Sequence, residues 1–493
     1  STVSCRLCHL PSHAPGMLAP AGNAQGPRPK ASPGSSAPHT NLGYNITGTS
    51  GARISAPVWR RTKEAPMTPN NGEAHSPVNS HAHADGATIT AVRFTRIRDP
   101  FTPRHDIHMP RVSGDWSLIE ICEVELASGV VGVGETIIQY TWGGVPRDAV
   151  AKVVGQNVFT QLWDDSYGCG LQMALWDAAG HQAGVPSHAF FGKQVRDVAP
   201  ISWWCLDFDE DEWVAEARLA VSLGYTCFKL KGRPWRDVIG QLEALEHVLP
   251  DGATIDMDFN GGLANAGFAV GYLKSLERFQ QLQIIESPIP QGDVAGNVRI
   301  RSQTRFAIAM HYGSPPIMTT MHEDVCDGFV IGGGAGALAQ QSQVSATANK
   351  PFWLQLVGTG LTTAWTVQAG AVATHAQWPA ITCMHIWEDD LIVKPLVVEG
   401  GYIKVPTTPG LGVTLDRDAV SRLQLADQEV FPVRPRRTYH LAWPASVRPG
   451  QLTIPAGSSV IEGFEHHLFR AYDLGNLPKH PHGITMKQVD HAD

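Results

Sequence analysis

The run Cys227-Phe228-Lys229-Leu230-Lys231 is followed, at intervals of about one strand plus one helix, by three more of the same kind. These are Thr254-Ile255-Asp256-Met257-Asp258-Phe259-Asn260, Ile284-Ile285-Glu286-Ser287-Pro288 and Ala307-Ile308-Ala309-Met310-His311. Each is a short apolar stretch that ends in a polar group, and helical text separates them, the signature of βαβ units and a parallel sheet. Reading outward, further strands are expected at 201–206, 328–332, 351–356 and 381–387. With eight strands, closure into a (β/α) barrel is favoured over an open doubly wound sheet.

In a parallel barrel, active-site groups stand at the carboxyl ends of strands. The period of two sends Lys229 and Lys231 to one side of their strand, and Asp258 and Asn260 share a side of the next. Asp258, Glu286 and His311 come one from each of three successive strands, so they converge above the barrel as the outline of a metal site. Two carboxylates suit a hard cation such as Mg²⁺, and an imidazole as third ligand shifts the balance toward Mn²⁺, Fe²⁺ or Zn²⁺. Any one of these groups alone is as readily a helix cap or a loop solubiliser. The ordered set is harder to dismiss, since desolvating two lysines and two carboxylates together requires charge compensation.

The chain has 493 residues, which allows more than one domain. Residues 1–86, rich in Pro, Ser, Gly, Ala, His and Asn, read as a disordered tail. Their Cys5-Arg6-Leu7-Cys8-His9 matches a haem-attachment pattern but is crowded by Pro11, Pro15, Pro20 and Pro27, and coincidence is the better reading. Residues 87–198 read as an α+β capping domain, 199–400 as the barrel, and 401–493 as a segment packing back on cap or barrel. A net charge of -8 gives no reason to bind nucleic acid or an anionic membrane, and no apolar run reaches the length of a spanning helix. Scattered cysteines, with Cys205, Cys227, Cys326 and Cys383 in apolar runs, fit a cytoplasmic protein.

Over about residues 87–420 the chain resembles the mandelate racemase and muconate lactonizing branch of the enolase superfamily, which includes acid-sugar dehydratases. The resemblance is carried in the cap by Gly134-Glu135-Thr136, by Ala174-Leu175-Trp176-Asp177-Ala178-Ala179-Gly180 and by Gly184-Val185-Pro186. In the barrel it is carried by Lys229-x-Lys231, Asp258-x-Asn260, Glu286-x-Pro288, Asp327-Gly328-Phe329-Val330-Ile331-Gly332-Gly333 and His385-Ile386-Trp387-Glu388. It implies a (β/α)7β barrel behind an α+β cap, a symmetric homo-oligomer, and abstraction of a proton α to a carboxylate through a metal-stabilised enediolate. On this basis Lys231 is the expected base, and Lys229 depresses its pKa by like-charge repulsion. Glu388 is an acid or hydrogen-bond donor, Asp327 is the dyad aspartate, and Asp258, Glu286 and His311 hold the metal. Asn260, with Arg104, His105 and His108 in the first cap loop and Trp142 in Tyr140-Thr141-Trp142-Gly143-Gly144, is expected at a small carboxylate substrate.

Two positions depart from the family pattern. His311 replaces a third carboxylate ligand, and Gln355 stands where a second base, a histidine, is expected. An amide has no proton-acceptor pKa in range, so Gln355 can hydrogen-bond but cannot act as a base. Two-base racemisation is therefore disfavoured, and a one-base reaction on a hydroxy acid, such as dehydration of a sugar acid, is the better expectation. A racemase or epimerase, or an impaired barrel kept as a binding or scaffold protein, are the alternatives.

Overall fold

β-Branched residues recur in Ile89–Arg98, Leu118–Leu126 and Val131–Ile137, which form strands β1, β2 and β3 of an antiparallel meander. A computed structural model describes residues 86–109, 115–140, 144–233 and 235–428, with three further strands at 437–442, 451–456 and 485–489. Cys5, Cys8, His9 and the expected disorder of the leading segment lie outside the described residues, as does Trp142.

Short helices α1 (Pro103–Asp106) and α2 (Arg147–Val153) follow β1 and β3, and α3 (Cys169–Ala183) lies across the meander. The approach is close enough that only glycine fits. A Cβ on Gly132 would come within 2.2 Å of the Ala178 nitrogen, and one on Gly134 within 2.2 Å of the Gly170 oxygen. Buried Asp177 on α3 accepts from the Val133 amide at 2.9 Å and the Leu411 amide at 2.7 Å, so it fastens the helix to β3 and to the returning chain.

After α4 (His188–Phe191) and β4 (Val198–Pro200) comes the barrel. Its strands are β5 (Trp203–Cys205), β6 (Cys227–Lys231), β7 (Thr254–Asp258), β8 (Leu282–Glu286), β9 (Ala307–His311), β10 (Gly328–Ile331) and β11 (Phe352–Leu354). They pair in parallel in the order β11-β10-β9-β8-β7-β6-β5. The gap between β11 and β5 is closed by Ala380 and Ile381, which bridge in parallel to Ile201 and Gln355. The expected eighth strand over 381–387 is thus only a two-residue bridge. Cys383 then turns through a positive φ of 60° into a 3₁₀ turn at Met384–Ile386.

The barrel helices are α5 (Glu210–Ser222), α6 (Val238–Glu246), α7 (Ala266–Leu276), α8 (Val294–Gln303), α9 (Ile317–Glu323), α10 (Ala335–Thr347) and α11 (Gly360–Val372). Three consecutive ones start on a side-chain cap: Asp237, Asn265 and Asp293 each accept the backbone N–H three residues on. Helix α11 is capped by the cap layer instead. Buried Glu135 of β3 accepts from the amides of Thr359 and Thr362 and from the Thr359 hydroxyl at 2.7–2.9 Å. Burial raises the pKa of this carboxyl, and those hydrogen bonds act the other way.

Strand β12 (Val398–Glu399) pairs with β13 (Tyr402–Lys404), which pairs in turn with β4, and after α12 (Arg417–Leu423) the Leu425 amide reaches the Arg96 carbonyl of β1. Residues 402–404 and 425 thus lie against β4 and β1. Strands β14 (Arg437–Ala442), β15 (Gln451–Ala456) and β16 (Thr485–Val489) form a separate antiparallel sheet with β14 in the middle. Cys205, Cys227, Cys326 and Cys383 are buried free thiols. No helix among the described residues is long and apolar enough to cross a membrane.

Candidate active site

Barrel register sets the geometry. Lys231, Asp258 and Glu286 are successive partners on β6, β7 and β8, so their side chains leave the sheet on the same face at the same level. One layer down, Trp204, Lys229, Asp256 and Ile284 are partners in turn. Lys231 Nζ lies 2.5 Å from Asp258 Oδ2 and 3.2 Å from Asn260 Oδ1. Lys229, with 1% of its side chain exposed, donates to Glu286 Oε2, and its ammonium sits 4.1 Å from the ring centroid of Trp353 on β11. His311 closes β9 with Nε2 2.9 Å from Glu286 Oε1, an ion-pair distance without hydrogen-bond alignment.

The charges balance locally. Burial works against ionisation of Glu286, but Lys229 first, then His311 and Lys231, outweigh it and hold the carboxyl well below its ordinary range. Asp256, deeper in the barrel, is pushed up to about 6 by burial despite the pull of Lys229. The strand ends are also strained: Asn260 and Ser287, each just past a carboxylate-bearing strand, hold φ of 48° and 46°. The Asn260 amide donates to Asp258 Oδ1 at 2.7 Å, which fixes that turn and orients the carboxylate.

Asp258, Glu286 and His311 are thus brought to adjacent strand ends. They do not form a compact triad: among the described residues, the group of three such side chains with ligand atoms all within 4.8 Å of one another is His105, Glu216 and His385. At the barrel mouth the lysines occupy the carboxylates. The donor set still fits a hard divalent cation, because Glu286 Oε1 is buried and lacks an aligned donor and Asp258 is 1% exposed beside it.

Other expected site residues fall elsewhere. Gln355 follows β11, half-buried, with its amide bonded to the Ile331 carbonyl. Glu388 is exposed, and its amide bonds to Pro100 where the cap loop meets the barrel. Asp327 corrects an expectation. It precedes β10, at the amino end of the strand, and its carboxylate is held by Arg301 Nε at 2.7 Å and the Ile308 amide at 2.8 Å. It therefore stands at the opposite end of the barrel from Lys231. Arg104, His105 and His108 of the cap loop engage the barrel wall, with Arg104 on Glu216 at 2.5 Å and His108 on Glu212 at 2.7 Å. Burial, then His385 and Arg104, push the His105 pKa down to about 2, and burial lowers that of His385 to about 3.

Trp353 and Trp116 are not among the residues expected at the site from the sequence. Strand parity signals the first, since Trp353 stands two residues before Gln355 and shares its face. Nothing local signals the second, which packs its ring 5.8 Å from that of Trp204 and 4.4 Å from that of Tyr140, an aromatic wall between cap and barrel.

Residues 212–419 match the family model described as enolase C-terminal domain-like. A probable glucarate dehydratase of Streptomyces coelicolor is 25% identical over 414 residues, covering 68% of this chain and 91% of the relative. Muconate cycloisomerase 1-2 of Acinetobacter lwoffii is 25% identical over 62% of this chain and 87% of its own length. Among solved structures, a muconate cycloisomerase from Pseudomonas fluorescens superposes with a TM-score of 0.56 at 20% identity, over 69% of this chain and 99% of that one.

Proposed function

We propose that this chain, which belongs to the enolase superfamily, is a divalent-cation-dependent lyase that removes water from a hydroxy-carboxylic acid, a sugar acid being the favoured class. The observation that carries the reading is a single base at the barrel mouth. Lys231 stands level with Asp258 and Glu286 on adjacent strand ends, while Gln355, which follows β11 with the strand parity of Trp353, occupies the position where a second base is expected. One base acting on one face of the substrate suits abstraction of an α-proton followed by loss of a β-hydroxyl. Relatives include a probable glucarate dehydratase as well as a muconate cycloisomerase, so the class of small carboxylate substrate has broader support than the sugar acid.

Asp258, Glu286 and His311 would hold the cation, Mg²⁺ in the first instance. Its contribution is to offset the second negative charge that grows on the substrate carboxylate as the α-proton leaves. Lys231, which donates to Asp258 and Asn260, must release those contacts and give up a proton of its own before its neutral amine can take the one on carbon. Lys229 keeps Glu286 ionised in a dry site, and the Trp353 ring keeps Lys229 in place. Glu388 is the candidate to protonate the departing hydroxyl, and Gln355 and Asn260 are the candidates to orient it by hydrogen bonds.

The test is turnover of a panel of aldonic and aldaric acids with Mg²⁺ or Mn²⁺, read by proton NMR as formation of a 2-keto-3-deoxy acid. The expected result is product from at least one acid, lost on Asp258→Asn. No product from any acid would leave a binding barrel. Inversion at the α-carbon without dehydration would make it an epimerase.

A further inference from the structure

On the outer side of the barrel wall, three side chains far apart in sequence meet: His105 on α1 of the cap loop, Glu216 on α5, and His385 beyond the closing bridge. Their ligand atoms all lie within 4.8 Å of one another, and His105 Nε2 is 3.8 Å from Glu216 Oε2. His105 is fully buried, and its Nε2 makes no hydrogen bond, which is costly for a polar atom cut off from water. The cluster is separate from the barrel mouth. Trp203, which donates to Glu216 at 3.1 Å and stacks 3.6 Å from the His385 ring, has the strand parity opposite to inward-facing Trp204 and Lys229.

Each imidazole already uses one nitrogen on an outer partner. His385 Nε2 bonds the Trp204 carbonyl at 2.9 Å, and since a carbonyl only accepts, that nitrogen carries the proton and Nδ1 presents a lone pair. His105 Nδ1 lies 2.8 Å from the Thr102 hydroxyl, and with Oγ1 accepting, Nε2 presents its lone pair toward Glu216. A histidine whose second nitrogen is held by a carbonyl or hydroxyl is the usual arrangement of a metal ligand. Two imidazoles and a carboxylate are the donors of a Zn²⁺-type site, and tetrahedral bonds of about 2.0–2.2 Å put ligand atoms roughly 3.3 Å apart. A contraction of ~0.5 Å would bring His105 and Glu216 into that range.

We propose that His105, Glu216 and His385 form a second metal site, taking a transition cation of the Zn²⁺ type, that pins the cap loop to the barrel wall. Arg104, now on Glu216 Oε1 with 41% of its side chain exposed, swings into solvent when the cation enters. The loop anchored there runs into the segment that meets Glu388, so the site would set how firmly the cap closes over the barrel mouth.

Cobalt binding tests this on the full chain carrying Lys229→Met, Asp258→Asn and Glu286→Gln, which silences the barrel mouth without leaving Lys229 a buried unpaired charge. Co²⁺ is expected to give the visible absorption of a four-coordinate nitrogen-ligated ion at one equivalent per chain, displaced by Zn²⁺ and lost on further His105→Gln or His385→Gln. Undiminished binding in those variants would overturn the proposal, as would the absence of any tight equivalent. Should the histidine variants fail to fold, X-ray absorption of the Zn²⁺-loaded Lys229→Met, Asp258→Asn, Glu286→Gln chain decides: two imidazoles in the zinc shell support the site, and a shell without imidazole refutes it.

Discussion

Replacing Lys229 by methionine isolates what holds the barrel mouth together. Lys229 and Glu286 are each 1% exposed and paired through Glu286 Oε2, so the substitution leaves a dry carboxylate beside the His311 imidazole without its main positive partner. Breaking one side of a buried pair costs about 3–5 kcal/mol, whereas removing both charges is often near neutral. Methionine keeps most of the volume against the Trp353 ring and gives up a cation–π contact of about 1 kcal/mol. The sign with pH follows from the pKa. In the parent chain Glu286 is held below its ordinary range, so its contribution is complete above pH ~4.5 and is lost as pH falls through the depressed value. Without Lys229 the carboxyl's pKa rises, the folded state takes up a proton that the unfolded state does not, and stability then falls as pH rises from 5 to 8. Urea unfolding at both pH values should show Lys229→Met weaker by roughly 3–5 kcal/mol at pH 8 and by clearly less at pH 5. Adding Glu286→Gln should recover about 2 kcal/mol or more. A deficit under ~1 kcal/mol at pH 8, the same deficit at both pH values, or a double variant weaker than the single one would refute the reasoning.

Two other sites give independent checks. Asp99 is wholly buried, and burial, then the charge of Asp389, push its pKa up to about 8 against the opposing pull of the Asp389 backbone. The folded chain thus holds a proton between pH ~4 and ~8 that the unfolded chain lacks, stability declines across that window, and Asp99→Asn should flatten the decline in thermal melts; an unchanged slope would contradict this. Gly132→Ala should cost about 3 kcal/mol or prevent folding, because its Cβ would meet backbone atoms of α3 at 2.2 and 2.3 Å; a melt within a degree of the parent would show that the β3 to α3 contact can open.

The strand-end residues were legible because parallel strands bury both faces. A polar group closing an apolar run such as Ile284-Ile285-Glu286 has few places to go but the barrel mouth. Asp327 was misplaced because its run, Gly328-Phe329-Val330-Ile331, has the polar residue before it, and a motif match does not say at which end of a strand an aspartate stands. Ile381–Trp387 read as a strand from its apolar content, but Cys383 adopts a left-handed conformation that single-sequence reasoning does not foresee for cysteine. The cap loop histidines, polar groups suited by type to a substrate, instead meet Glu212, Glu216 and His385 from elements more than a hundred residues away, a contact no local pattern encodes.

The central claim is that Lys231 takes a proton from the carbon next to a carboxylate. Solvent exchange measures it without requiring a full reaction: the chain, loaded with Mg²⁺ or Mn²⁺, is incubated with the acid panel in deuterium oxide, and the α-proton signal is followed by NMR. Loss of that signal, slowed by about a thousandfold in Lys231→Met while Glu388→Gln still exchanges, is the predicted result. Exchange that proceeds at the parent rate in Lys231→Met, or an α-proton that survives in every acid, would contradict the assignment.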